Sequence, residues 1–195
     1  MTLVEQVHAA LVRTVRPGDV AVDATAGHGH DTVALARLVG PSGRVFAFDI
    51  QPAALDSTAA RLKELHLDNV TLLLRDHAEL RDAIPPEHHG TLAAVVFNLG
   101  YLPRSDKQVV TRPASTIPAL RAAAELLRPG GLLSVLGYQG HAAGVEEVSA
   151  VRDEIERLKD NGWAVTEAVS APGAKPGPHL WLCERPDEPR PRGSG

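Results

Sequence analysis

Cysteine, aromatic side chains and long apolar runs are all scarce in this sequence of 195 residues. The single cysteine, Cys183, excludes an internal disulfide and suits a reducing compartment. Aromatic residues make up 4% of the chain, so we expect a core built mainly of Leu, Val and Ala. No apolar run approaches the ~20 residues of a membrane span, and the polar residues near the start do not fit a signal peptide. These absences predict a cytoplasmic protein with no membrane partner.

The charge balance limits how nucleic acid could bind, and the histidines do not predict a metal site. The formal net charge of −4 provides no global attraction to nucleic acid, so a nucleic-acid partner would need a local basic patch. His88 and His89 are adjacent, but no cysteine or acidic cluster completes a metal site around them, and we expect a solvated loop and no metal.

Apolar strands alternate with amphipathic helices along most of the chain. We predict one domain over residues 1–185 and a disordered tail over 186–195. The predicted strands are 20–23, 44–49, 70–76, 92–97 and 132–136, followed by an antiparallel pair at 163–169 and 179–184. Helices are predicted at 3–11, 32–39, 52–65, 114–127 and 145–159. This order predicts an α/β, Rossmann-like sheet, mostly parallel with one antiparallel edge strand and helices on both faces.

A glycine-containing loop follows the first predicted strand and opens a helix, which is the arrangement of a nucleotide-binding junction. Gly27 and Gly29 allow a sharp turn and close approach of a ligand. Thr32 replaces the third glycine of a dinucleotide fingerprint, and Asp23 and Asp31 would repel a pyrophosphate but attract a cation. The loop resembles motif I of class I methyltransferases that use S-adenosylmethionine (SAM) and release S-adenosylhomocysteine (SAH). The predicted cofactor contacts from this loop are Asp23, Thr25, Gly27, His28, Gly29, Asp31 and Thr32. The sequence also predicts Asp31 or Thr32 as the N-cap of the following helix. The alternative to cofactor binding is an ordinary strand–helix turn whose glycines serve its geometry only.

Two further strand ends carry candidate cofactor residues. Asp49 lies where nucleotide-binding α/β folds place a carboxylate on ribose hydroxyls, and the alternative is a solvated strand-end aspartate. Gln51 could pack on the nucleoside or be an exposed helix residue. Asp76 or His77 could meet the adenine edge, whereas the competing interpretation makes Asp76 the cap of a short helix.

The fourth predicted strand ends in Asn98-Leu99-Gly100-Tyr101, where open α/β sheets hold their chemistry. An amide followed three residues later by an aromatic resembles the Asn-Pro-Pro-Tyr motif of amine-directed methyltransferases. That resemblance implies that Asn98, beside the cofactor, accepts a hydrogen bond from the substrate amine and that Tyr101 packs on the substrate. Leu99 and Gly100, which replace the two prolines of that motif, are also predicted to contact the substrate. A structural turn capped by Asn98 is the alternative.

The loops near this position supply candidate substrate contacts. Arg104, Lys107 and Arg112 form a basic loop that could contact phosphates, or could be plainly solvated. Tyr138 could stack a base, and His141 could contact the substrate, take up a proton, or be structural.

Four segments together resemble the small bacterial rRNA methylase family, whose members include tRNA 5-aminomethyl-2-thiouridine methyltransferases. The segments are Asp23 to Thr32, Phe48 to Gln51, Phe97 to Pro103 and Tyr138 to His141, and the sequence departs from the family pattern at His28 and Arg104. The resemblance implies methylation of the aminomethyl group on the wobble uridine, in the anticodon region of tRNA.

Other functions stay open at this stage. The substrate could be rRNA, or a small-molecule or protein amine, and a nucleotide-binding module without catalysis is a further alternative. A homodimer also stays open.

Overall fold

A computed structural model describes residues 1–100, 111–139, 142–170 and 177–187, without the side chains of 142 and 143. The predictions for Tyr101, Arg104, Lys107, His141 and the tail from residue 188 onward lie outside the described residues.

The described chain is built around a seven-stranded sheet in the order β3-β2-β1-β4-β5-β7-β6. Its strands are β1 (Val20–Asp23), β2 (Arg44–Asp49), β3 (Val70–Leu74), β4 (Leu92–Leu99), β5 (Leu127–Gly137), β6 (Ala164–Val169) and β7 (His179–Glu184). The pairs β1–β2, β2–β3, β1–β4 and β4–β5 are parallel, and β7 runs antiparallel to both β5 and β6. The sheet confirms the predicted Rossmann-like architecture, with β7 as the antiparallel strand beside the parallel set.

Helices cover both faces of this sheet. They are α1 (Leu3–Thr14), α2 (His30–Val39), α3 (Pro52–Glu64), α4 (Leu80–Ala83), α5 (Pro113–Leu126) and α6 (Ala142–Asp160). One buried cluster joins α1 and α2 to the sheet, and a second joins α5 and α6 to its other face. Within the described residues, none of the helices has the length and apolar character needed to cross a membrane.

The structure corrects the prediction of how α2 begins. Gly29, at φ 77°, is the N-cap, and the helix starts at His30 without a side-chain cap, so the assignment of Asp31 or Thr32 as the N-cap was wrong. The αL conformation of Gly29 turns the chain directly into the helix, which places both side chains inside its first turn.

The order of strands determines where a ligand can enter. Chain order reverses between β1 and β4, which lie side by side with their carboxyl ends at the same edge. Crevices at such a reversal are the usual ligand sites of open α/β sheets. The loop after β1 and the end of β4 therefore face the same crevice.

Candidate active site

The glycine loop between β1 and α2 is a tight turn held from the side by α3. Gly27 and Gly29 have φ values of 53° and 77°. A Cβ on Gly29 would lie 2.9 Å from two side-chain atoms of Thr58, and the Thr58 hydroxyl donates to the Gly27 carbonyl at 3.1 Å. His28 also contacts α3, because its Nδ1 lies 3.2 Å from the Ser57 hydroxyl. Gly29 therefore allows the close approach of α3, a role separate from the ligand contact predicted for this loop.

Asp23 is a fully buried carboxyl group at the end of β1. Its oxygens accept hydrogen bonds from the Thr25 N–H at 3.1 Å and from the Thr32 hydroxyl at 2.6 Å. Burial, followed by the negative charges of Asp31 and Asp49, raises the pKa of Asp23 to about 7. Thr32 is buried as well, and its hydroxyl bonds to Asp23, so it holds the Asp23 carboxyl group in place.

Asp49 faces the same loop from the end of β2. Its two oxygens accept hydrogen bonds from the backbone N–H groups of Gly27 and Gln51, both at 2.9 Å. A carboxylate has about four acceptor positions, so this geometry fixes the group and leaves acceptor capacity for hydroxyl groups.

Asn98 is tied to the glycine loop through both its backbone and its side chain. Its backbone N–H donates to the Thr25 hydroxyl at 2.7 Å. Its side-chain Nδ2 donates to Oδ2 of Asp31, so Oδ1 is the part of the amide that remains to accept a hydrogen bond. The predicted cofactor loop and the predicted catalytic residue are thus brought together at the β1–β4 crevice.

The sequence analysis missed a third residue of the hydrogen-bonded group that contains Asp31 and Asn98, namely His8 of α1. Its Nε2 lies 2.7 Å from Oδ1 of Asp31. The apolar periodicity of α1 identifies which side chains enter the core, but it carries no signal for a polar contact with another helix.

The end of β3 supports the capping interpretation of Asp76. Asp76 is the N-cap of a short 3-10 helix (His77–Glu79), and its Oδ1 accepts the Ala78 N–H at 2.8 Å. His77 is buried and packs edge-on against Phe97, with ring centroids 5.7 Å apart, and this burial lowers the pKa of His77. Its buried Nε2 has no hydrogen-bond partner among the described residues. A contact of either side chain with adenine stays a prediction.

A buried glutamate joins the two described ends of the loop that follows β4. The backbone N–H of Gly100 donates to the Thr111 hydroxyl at 2.9 Å, and that hydroxyl donates to Oε2 of Glu147 at 2.6 Å. Thr116 donates to Oε1 of the same carboxylate, also at 2.6 Å. Glu147 of α6 therefore fixes where this loop leaves and rejoins the fold.

The remaining described substrate candidates differ in exposure. Leu99 is buried in the core, so any substrate contact there would come from its backbone. Tyr138 is 42% exposed and packs beside Gly100, and burial followed by the charge of Asp31 raises its pKa. Arg112 is exposed in extended backbone at the start of α5.

The residues around the crevice fit SAM. The pKa of Asp23 is raised partly by two neighbouring negative charges, so a cation placed beside this cluster would be attracted. SAM carries a sulfonium and an ammonium group, and the fixed carboxylate of Asp49 suits the hydroxyls of its ribose. Across the described ranges, no three His, Cys, Asp or Glu side chains lie together as a metal site would require.

Comparison with known proteins gives a consistent result. A model of the family described as "Putative rRNA methylase" matches residues 45–184. A chloroplastic tRNA (mnm5s2U34)-methyltransferase from Arabidopsis thaliana is 36% identical over 168 residues, covering 82% of this chain and 61% of the plant protein. A protein-L-isoaspartate O-methyltransferase from Ignicoccus hospitalis is 28% identical, covering 62% of this chain. The chain thus spans about half to three fifths of the length of these curated relatives.

Two solved structures resemble the chain over almost their whole length. A "putative rRNA-methylase" from Clostridium thermocellum has 39% identity and a TM-score of 0.88, covering 94% of this chain and 97% of its own. A "putative methyltransferase" from Streptococcus mutans, solved in complex with SAH, has 32% identity and a TM-score of 0.83, covering 94% and 98%. The observed fold is therefore the class I methyltransferase fold.

Proposed function

The chain belongs to the rRNA methylase family of class I SAM-dependent methyltransferases, and we propose that it methylates an RNA amine. The proposed substrate is the primary amine of a 5-aminomethyl group on the wobble uridine, in the anticodon region of tRNA. The plant relative whose name specifies that position supports this choice.

The observation that carries the proposal is the orientation of Asn98 at the end of β4. Its Nδ2 is engaged by Asp31, so its Oδ1 is the group available to accept an amine N–H. An amine that donates a hydrogen bond to this oxygen has its lone pair directed away from it. Alignment of this kind is the main contribution an enzyme can make when the nucleophile is already reactive.

The cofactor would be held mainly by the glycine loop and the end of β2. When bound, SAM supplies an electrophilic methyl group on its sulfonium. Asp49 would accept the ribose hydroxyls, and the negative charges of Asp23 and Asp31 would favour the cationic amino-acid arm. Partly buried surroundings at Asn98 would favour the neutral form of the substrate amine, because desolvation disfavours the ammonium.

The RNA would lie across the carboxyl edge of the sheet. Arg112 is exposed at the described end of the loop after β4, where it can reach a phosphate. Arg104 and Lys107 are proposed to act with it, Tyr101 and Tyr138 to pack on bases, and His141 to contact the substrate.

Mass spectrometry of tRNA nucleosides tests this function directly. The protein is incubated with SAM and tRNA that bears 5-aminomethyl-2-thiouridine, and with rRNA in a parallel reaction. We expect a mass gain of one methyl group on the wobble nucleoside, and its loss with Asn98→Ala. Methylation of rRNA alone would contradict the tRNA proposal while leaving RNA methylation intact.

A further inference from the structure

The hydrogen bonds around Asp31 connect the N-terminal helix to the predicted catalytic amide. Nε2 of His8 lies 2.7 Å from one carboxylate oxygen of Asp31, and Nδ2 of Asn98 donates to the other. The three residues come from α1, the first turn of α2 and the end of β4. We propose that His8 is a positioning residue for methyl transfer, acting through Asp31 on Asn98; this inference rests on the proposed function.

The direction of these bonds follows from the chemistry of the groups. An ionised carboxylate only accepts hydrogen bonds, so Nε2 of His8 carries a hydrogen whether the ring is neutral or charged. The His8 side chain is 39% exposed, whereas that of Asp31 is 9% exposed. The carboxylate is therefore held in a mostly buried place between two donors on opposite sides.

Loss of one donor would free the carboxylate to rotate. The Asn98 amide would then lose the fixed acceptor that keeps its NH2 group on Asp31. Because the two ends of an amide differ only in donor and acceptor character, a rotated amide would present N–H in place of Oδ1. An amine that needs an acceptor would be misaligned.

The backbone of Asn98 is held independently of His8. Its N–H donates to the Thr25 hydroxyl at 2.7 Å, and β4 pairs with both β1 and β5. A change at His8 should therefore disturb the Asn98 side chain without moving the strand end. This separation predicts an effect on the chemical step with little effect on SAM binding.

The variants His8→Ala and His8→Gln test the inference. The Gln carboxamide can place an N–H close to the position of Nε2, so it should replace the donor that Ala removes. Val12→Ala is the matched control, because Val12 lies one turn further along α1 and is 59% exposed. Comparable thermal midpoints for all three would show that the fold is retained.

In single-turnover methylation of aminomethyl-bearing tRNA, His8→Ala should lower the rate about tenfold or more, as expected for loss of a hydrogen bond to a charged group. His8→Gln should recover most of the rate, and Val12→Ala should match the wild type. SAH affinity, measured by calorimetry, should change much less than the rate in each variant, because the charge of Asp31 is retained. A His8→Gln enzyme as slow as His8→Ala would overturn the proposal.

Nuclear magnetic resonance provides a readout that needs no substrate. Long-range proton–nitrogen spectra of the wild-type protein should show Nε2 of His8 protonated. The side-chain amide signals of Asn98 should shift and exchange faster in His8→Ala, but not in Val12→Ala. Unchanged Asn98 signals in His8→Ala would overturn the inference even if tRNA proved to be the wrong substrate. Altered signals without activity on any RNA would instead count against the proposed function.

Discussion

At the scale of single residues, the protonation of Asp23 depends on its burial and on the charged groups around it. Its folded-state pKa of about 7 is well above the ordinary value of 3.8, chiefly because the carboxyl group is buried. Between these two pH values the folded chain therefore binds more protons than the unfolded chain. Stability contributed by this group is fully present below about pH 4 and is lost as the pH rises through about 7.

The same linkage predicts how SAM binding responds to pH. A cation beside Asp23 favours the ionised carboxylate, so binding should release a proton below about pH 7. Affinity should then rise with pH from 5.5 to 7, with a slope approaching about tenfold per unit. Calorimetry in buffers with different ionisation enthalpies would measure the released proton.

Asp23→Asn is the control for this pH dependence, since the amide keeps the shape of the side chain but cannot titrate. The variant should bind SAM more weakly at pH 7.5 and lose the rise in affinity between pH 5.5 and 7. A rise that persists unchanged in Asp23→Asn would assign the titration to another group.

Asn98 should affect turnover more than cofactor binding. Removing its side chain in Asn98→Ala leaves the hydrogen bond from its backbone to Thr25 in place, so the glycine loop should keep its shape. We expect single-turnover methylation to fall by about 10² or more, with SAH affinity within a few-fold of the wild type. Wild-type turnover in this variant would remove amine alignment by Asn98 from the mechanism.

At the scale of helices and strands, the glycine loop illustrates what a sequence motif leaves out. The sequence correctly predicted a sharp turn at Gly27 and Gly29, because few other residues adopt such a turn. It did not predict that Thr58 of α3 packs against this turn, since that contact joins positions 29 residues apart. Contacts of this kind depend on how helices pack, and no local pattern encodes them.

Gly29→Ala tests the contribution of this packing to stability. Gly90 is the matched control, because its φ of 74° is close to the 77° of Gly29, yet no heavy atom lies within 4 Å of a Cβ built there. Gly90→Ala should cost about 1–2 kcal/mol of unfolding free energy from backbone strain alone. Gly29→Ala should cost about 1–3 kcal/mol more, because its Cβ would overlap Thr58. Denaturant unfolding measures both values.

A double variant separates the effect of the overlap with Thr58 from the effect of backbone strain at residue 29. Adding Thr58→Ala to Gly29→Ala should recover part of the loss, which would appear as a favourable coupling energy of about 1 kcal/mol. Equal destabilisation by Gly29→Ala and Gly90→Ala would show that Thr58 yields without cost.

The boundaries of the strands were predicted unevenly, for a physical reason. The end of β1 was predicted because the acidic Asp23 ends its apolar run and a glycine loop follows. The prediction placed the start of β5 at Leu132, whereas the strand begins at Leu127. Leu127 pairs with Leu92 before the register shifts, so the turn-forming residues Arg128 to Gly131 lie within a paired strand as an irregularity. Turn residues in a sequence predict that strand pairing ends there. They do not show that the strand is paired on both sides of the irregularity, as it is at Leu127 and from Leu132 onward.

The position of His8 was the least predictable part of the candidate site. α1 precedes β1 in the chain, and its polar side chains have no motif that relates them to the end of β4. The contact arises because α1 and α2 share one buried cluster on the same face of the sheet. Only the assembled layers bring His8 to Asp31.

At the scale of the whole molecule, a formal charge of −4 means that the proposed RNA binding would need a local basic surface. The proposed surface comprises Arg104, Lys107 and Arg112. A second group of arginines, Arg121, Arg157 and Arg185, lines a cavity of about 640 Å³ together with Glu125 and Trp163. Two of them, Arg121 and Arg157, form ion pairs with the buried Glu154, so this cavity is less basic than its arginines suggest. It lies near the carboxyl ends of α5 and α6, and therefore at the opposite edge of the sheet from the crevice. RNA on that surface would not bring a nucleoside to Asn98.

Salt dependence distinguishes these surfaces. Neutralising Arg104, Lys107 and Arg112 together should weaken tRNA binding and reduce the slope of log affinity against log salt by about 2–3, since each lost phosphate contact removes about 0.7–0.9. SAH affinity should be unchanged, because none of the three is expected to contact the cofactor. Filter binding or fluorescence anisotropy at several salt concentrations would give the slope.

The matched control is a triple variant with the same change in net charge. Arg13, Arg37 and Arg44 are exposed near the ends of α1 and α2 and at the start of β2, away from the crevice. Neutralising them should leave the slope almost unchanged if binding depends on a local surface and not on total charge. Equal loss in both triple variants would indicate that net charge alone sets the affinity. An unchanged slope in the Arg104, Lys107 and Arg112 variant would instead move the RNA surface elsewhere, and neutralising Arg121 and Arg157 would then be the next measurement.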